Sequence, residues 1–144
     1  MSEIDIDASL TLQWFLEDEI DRGYSLAILQ QLSEDSAVVP ILWFYEVGNG
    51  LTIAYRRKRI TFEQATQYLA KVGKLNISAD DVDPALILAL PDLAHNYELT
   101  NYDAAYLELA IRRKIALATT DQALLRAAAK AGVPLVKPTS PSTN

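Results

Sequence analysis

The spacing of apolar and polar residues changes several times along the chain, and each change marks the passage from strand to helix or back. EIDID (3–7) alternates with the period of two expected of a strand. A helix is expected from Ser9, a candidate N-cap, to about Glu19, and a second over YSLAILQQLSED (24–35). AVVPI (37–41) is a short β-branched run, a second strand. From Leu42 to Lys58 the pattern is that of a long helix whose basic end suits the negative pole of its dipole. Thr61 with Gln64 has the spacing of a capping box and opens a helix over 61–74. LNIS (75–78) reads as a weak third strand, and Pro84 to about Tyr97 as a helix broken near Pro91. Thr100 or Asn101 caps the helix YDAAYLELAIRRK. IALATT (115–120) is a fourth strand, DQALLRAAAKAG a helix closed by Gly132, and VPLV (133–136) a last strand.

Strands separated by helices predict an α/β domain, with a parallel sheet of about five strands covered by helices on both faces. At 144 residues the chain is one domain, expected to span 1–136, with the polar segment 137–144 read as a disordered tail. Half the residues are apolar and mean hydropathy is near zero (+0.05), the balance of a folded rather than a disordered chain. No apolar run approaches the roughly 20 residues needed to cross a bilayer, which argues against a membrane role. MSEIDID lacks the basic start and apolar stretch of a signal peptide. Without cysteine there is no disulfide, thiol nucleophile or thiolate zinc site, and a cytoplasmic location fits best. The net charge of −6 disfavours a stable nucleic-acid binder with a broad basic face. It counts less against an enzyme that holds one strand briefly beside metal ions.

Against this background four carboxylates stand out, because each lies in a stretch that is otherwise uncharged: Asp7, Glu46, Asp103 and Asp121. A carboxylate in an apolar setting costs free energy unless something compensates it, and no matching set of isolated lysines or arginines is present. A divalent cation is the economical counter-charge. Asp7 follows the first strand and Asp121 the fourth, while Glu46 and Asp103 lie near the starts of helices, so all four can reach the carboxyl edge of the sheet, where such folds bind ligands. Helical spacing puts Asp103 on a face with Tyr106, Leu107 and Ala110, and Glu46 on one with Leu42, Trp43 and Asn49. Asp7 and Asp121 are equally well placed to be N-caps, and Asp103 to serve a helix dipole. Asp5, which alternates with Ile4 and Ile6, is read as facing solvent at a sheet edge. Lone His95 lies away from these positions and is not expected to act as a base.

The strings IDAS (from Ile6), YEVGN, LTNYDAAYLELA and LATTDQALLRAAAKAGV resemble the successive motifs of PIN-domain ribonucleases, closest to the VapC-type toxins of toxin–antitoxin pairs. The resemblance runs from about Ile4 to Val136. It implies a three-layer PIN-like fold and a metal-dependent endoribonuclease in which Asp7, Glu46, Asp103 and Asp121 form the catalytic set. By that likeness Asp7, Asp103 and Asp121 hold one or two Mg²⁺ or Mn²⁺ ions, and Glu46 positions water. Oxygen-only ligands independently favour such hard cations. Ser9, Asn49 and Thr119 fall where short polar side chains can orient the carboxylates, although Ser9 also suits a simple cap. Arg56, Arg57 and Arg59, with Arg112 in a second basic run, are candidates for RNA phosphates, against a bland reading as solvated helix ends. The likeness further implies a cognate antitoxin, whose arginine can enter the acidic cluster, and a homodimer. Trp14, Phe15, Ile28 and Leu29 are candidate contacts for those partners. Two alternatives stand beside this: a receiver-like Mg²⁺-binding signalling domain, and a catalytically silent PIN-like protein-binding module.

Overall fold

In the computed structural model, which describes residues 2–138, the sheet consists of β1 (Glu3–Ile6), β2 (Ser36–Val39), β3 (Ile77–Ala79) and β4 (Ala116–Ala118). Their order is β3-β2-β1-β4, and every pairing is parallel. Ile4 faces Ala37 on one side and Ala116 on the other, which fixes the register of the three inner strands. The expected last strand shrinks to a single parallel bridge between Leu117 and Leu135. Pro134 contributes its carbonyl to Leu117 N at 2.9 Å but has no N–H to extend the ladder.

Eight helices pack around this sheet among the described residues: α1 (Ala8–Leu12), α2 (Gly23–Gln31), α3 (Ile41–Arg56), α4 (Phe62–Val72), α5 (Pro84–Leu88), α6 (Leu90–Tyr97), α7 (Asn101–Arg113) and α8 (Gln122–Ala131). Local chemistry sets most of the boundaries. Thr61 and Gln64 close a reciprocal capping box, and Thr100 accepts from Asp103 N. Gly132 ends α8 at a φ of 76°, a conformation that suits glycine. The break expected near Pro91 falls at Ala89, which leaves Pro91 in the first turn of α6, where a missing N–H costs nothing.

The helix expected from Ser9 to Glu19 needs correction. Asp7, not Ser9, is its cap, and α1 stops at Leu12. Beyond that point Trp14 and Phe15 turn into the core, and Arg22 takes up the carbonyls of Gln13 and Trp14 at 2.7 and 3.1 Å, replacing the lost helical bonds. Trp14, Phe15 and Ile28 are therefore buried and Leu29 partly so, which withdraws them as surface contacts. The tail from residue 139 on lies outside the described residues. No helix among the described residues is long and apolar enough to cross a membrane.

A single main core runs under the sheet and helices, with Ile6, Leu10, Trp43, Tyr106, Leu107 and Leu117 among its fully buried members. α3 crosses α1 closely at Gly50, where a β-carbon would run into the Leu12 side chain. Asp5 breaks the apolar rule. β1 is an interior strand, not an edge, so Asp5 is fully buried, and neither of its carboxylate oxygens has a hydrogen-bond partner. Burial first, then the neighbouring charges of Asp7, Asp80 and Glu108, hold its carboxyl well above the ordinary carboxylate range.

The chain winds from β1 through β2 to β3 on one side, then returns to place β4 on the other side of β1. That reversal makes a switch point between β1 and β4. The carboxyl ends of the strands open a crevice at such a point.

Candidate active site

The two strands that flank the switch point each end in one of the isolated acids. Asp7 follows β1 and caps α1: its Oδ1 accepts from Leu10 N at 2.9 Å, and its Oδ2 accepts the hydroxyls of Thr119 at 2.6 Å and Ser9 at 3.0 Å. Asp121 follows β4 and caps α8, taking Leu124 N at 2.9 Å. Thr119 joins the two, since its Oγ1 also accepts from Asp121 N at 3.0 Å. Both acids are thus caps, as their positions allowed. Capping does not neutralise them, because every partner is an uncharged N–H or O–H.

The other two acids come from helices. Asp103 lies in the first turn of α7, partly buried, with Thr100 beside it: Thr100 Oγ1 accepts from Asp103 N at 3.1 Å, and the same hydroxyl also acts on the carboxylate. Glu46 lies in the second turn of α3, where its Oε1 accepts the hydroxyl of Tyr106 at 2.6 Å. Tyr106 stands three residues after Asp103 on α7, so one helix face carries both an acid and the donor that fixes another acid.

The electrostatics tie the four together. Burial pushes the Asp7 carboxyl up to about 6, against the lowering pull of its hydrogen bonds, and Asp121 adds to the rise. Asp103 is raised by burial first, then by Asp121 and Glu46. No lysine or arginine is among the groups that shift either one. An all-oxygen donor set of this kind suits a hard divalent cation. In the present rotamers, however, no three Asp, Glu, His or Cys side chains among the described residues lie close enough together to hold an ion. Closing on one needs side-chain rotation.

Of the expected orienting residues, Ser9 and Thr119 touch Asp7, whereas Asn49 is exposed and bonds to none of the four acids. The basic candidates sit elsewhere. α3 begins at the carboxyl edge and ends with Arg56, ten residues beyond Glu46, about 15 Å along the axis at 1.5 Å per residue. Arg59 is taken up by Asp18 at 2.7 Å and Glu19 at 3.2 Å. Arg112 is taken up by Glu108 at 2.7 Å and by Asp80. Of these four candidates, Arg56 and Arg57 alone are exposed without an ion pair among the described residues, and they lie toward the far edge of the sheet. Sequence reasoning missed Tyr106 as a site residue, placing it on an apolar stripe. The available signal was a tyrosine on a core-facing stripe beside an acid, since a buried phenol needs a partner.

α3, α5, α6 and α7 enclose an apolar cleft of about 340 Å³, walled in part by Tyr45, Tyr102, Asp80 and Glu108; none of the four acids lines it. A family model described as the PIN domain matches residues 4–130, nearly the whole of this architecture. The chain belongs to the PIN-domain family. Among solved structures, this PIN domain is similar to the crystal structure of PAE2754 from Pyrobaculum aerophilum, with a TM-score of 0.66, 24% identity, and 88% of this chain covered against 87% of that one. It is similar to VapBC2 from Rickettsia felis bound to a DNA fragment from their promoter, with a TM-score of 0.64, 13% identity, and 94% against 98% covered. It is also similar to FitAcB from Neisseria gonorrhoeae, with a TM-score of 0.59, 14% identity, and 94% against 97% covered. At these identities the likeness is one of fold. No curated protein matches the sequence. Membership of the PIN family removes the receiver-like alternative.

Proposed function

We propose that this PIN domain is a metal-dependent endoribonuclease and the toxin of a toxin–antitoxin pair. The observation that carries the reading is the gathering of Asp7, Glu46, Asp103 and Asp121 at the switch point with only neutral donors around them. Asp7, Asp103 and Asp121 would hold one or two Mg²⁺ or Mn²⁺ ions. A divalent cation bound there supplies an activated water and offsets charge on the phosphodiester. Ser9 and Thr119 orient Asp7, and Glu46 accepts a hydrogen bond from the water. The toxin assignment draws on fold likeness to VapBC2 and FitAcB, whose names denote complexes. An antitoxin and a second copy of the chain are the partners we assign, with contacts on the exposed apolar side chains Ile41, Tyr45, Ile87 and Tyr102 rather than on Trp14 and Phe15.

The test is direct. Purified protein should cleave single-stranded or loop RNA with Mg²⁺ or Mn²⁺ and stop in EDTA, and Asp103→Asn should lose most activity while keeping its fold. Full cleavage in EDTA would remove the metal from the reading. Expression alone should arrest growth, and an adjacent antitoxin reading frame should relieve it. Harmless expression of active protein would leave a nuclease but no toxin.

A further inference from the structure

One of the two shortest hydrogen bonds in the site belongs to a residue with no assigned role. Tyr106 is buried to 1% exposure on α7, and its ring is part of the main core. Its hydroxyl has a single hydrogen bond among the described residues, donated to Glu46 Oε1 at 2.6 Å across the seam between α7 and α3. Its surroundings are acidic on every side: Glu46, Asp7 and Asp5 all act on it, and burial together with these charges raises the phenol far above its usual range. Tyr106 is therefore a fixed donor among carboxylates, held by the core below and unable to become a competing anion.

From this we infer that Tyr106 is the positioning residue of the catalytic set, acting through Glu46. The inference rests on the nuclease reading and adds a division of labour to it. Glu46 stands on a partly exposed helix face, where a glutamate with three rotatable bonds would otherwise sample many orientations. The phenol takes one lone pair of Oε1 and fixes the carboxylate plane, leaving Oε2 without a protein donor among the described residues. That geometry suits a carboxylate that aligns a water through Oε2 better than one that grips a cation symmetrically with both oxygens. It also couples α3 to the turn of α7 that carries Asp103, so two acids from different helices share one frame. Preorganisation of this kind affects turnover more than binding, because it fixes the alignment of the reacting water rather than the hold on the strand.

The experiment compares wild type, Tyr106→Phe, Glu46→Gln and the double variant on single-stranded RNA with Mg²⁺, alongside melting curves and the side-chain carboxyl ¹³C resonance of Glu46. Tyr106→Phe keeps the ring. We expect kcat to fall on the order of tenfold, less than the roughly 10²–10⁴-fold cost of losing a general base outright because the carboxylate itself remains, with KM changed by less than a factor of about two. The melting temperature should hold, and the Glu46 resonance should move. In the Glu46→Gln background the same change should have no further effect, since the hydroxyl acts only through that carboxylate. Should Tyr106→Phe fail to fold, Glu46→Asp, one methylene too short for the bond, should give the same kcat loss on an intact core. Wild-type turnover in Tyr106→Phe, an equal loss in both backgrounds, or an unmoved Glu46 resonance would overturn the inference. Inactive wild type would overturn the nuclease reading instead.

Discussion

Two buried carboxylates whose charges both act on Asp5 are met by the chain in opposite ways. Asp80, just past β3, accepts from Arg112 and, at 2.8 Å, from Arg113 Nε, while Glu108 shares Arg112 and Glu3 approaches Arg113 at 3.6 Å. Burial works against the Asp80 charge, but the two arginines win and hold its carboxyl below the usual range. Asp7 has as little exposed surface but lies deeper in the protein, and it receives only an amide and two hydroxyls, so burial wins and its carboxyl rises to about 6. The chain can place arginines beside a buried acid, and does so at Asp80. At the switch point it places Ser9, Thr119, Thr100 and Tyr106 instead. A structural ion pair is complete within the chain. The acidic edge is not, and its missing positive charge is what a divalent cation would bring.

The clearest way to break this comparison is to strip the arginines from the first site. Arg112→Gln with Arg113→Gln leaves Asp80 buried and unpaired, which should cost about 3 kcal/mol in urea unfolding. That is the low end for a stranded buried charge, since the arginines keep 31% and 34% of their side-chain surface. Asp7→Asn, by contrast, should hold or raise apo stability, because asparagine caps as well as aspartate and carries no charge. Equal losses in both would mean that the two sites do not differ in kind.

Asp5 sharpens the contrast from between the two sites, because it touches neither solution. It has no arginine, no hydroxyl and no water-exposed surface. Asp5→Val fits an interior strand and removes an unsatisfied buried group, and should stabilise the protein by about 1–3 kcal/mol. A loss of stability on thermal or urea melting would show that Asp5 has a partner in solution.

Much of this could be read from the chain because the relevant signals are local. Period-two and period-3.6 patterns located the elements. The Thr61–Gln64 box, Thr100 and Gly132 marked real ends, and the four acids lie where strand and helix ends meet the carboxyl edge. What was lost depends on contacts far apart in sequence. α1 stops early because Arg22 donates to the Gln13 carbonyl and the Ser25 carbonyl accepts the Trp14 indole N–H, and nothing near Leu12 announces that. Asp5 looked like an edge residue because strand order is not written in β1 itself. Arg59 looked free because its partner Asp18 lies 41 residues away; Arg112 has a local partner in Glu108, but its bond to buried Asp80 spans 32 residues. Tyr106 reads as core from its stripe, and the bond to Glu46 spans 60 residues.

The central claim, that the acidic edge waits for a cation from outside, is tested most directly by apo stability across pH with and without Mn²⁺. The folded-state carboxyl of Asp7 lies at about 6 against 3.8 for the free group, so the native protein binds this proton more tightly than the unfolded chain does. Its contribution is therefore fully present below about pH 4 and is lost as pH rises through about 6, a change of about 3 kcal/mol by pH 7. Asp103 and Asp5 shift in the same direction, whereas Asp80 contributes in the opposite sense, losing stability as pH falls below its unfolded value. Urea unfolding should show apo stability falling between pH 4 and 7. At pH 7, Mn²⁺ at a hundred times its dissociation constant should return about 2.7 kcal/mol to the wild type and clearly less to Asp103→Asn. A profile that stays flat from pH 4 to 7 and does not respond to millimolar Mn²⁺ would contradict the account.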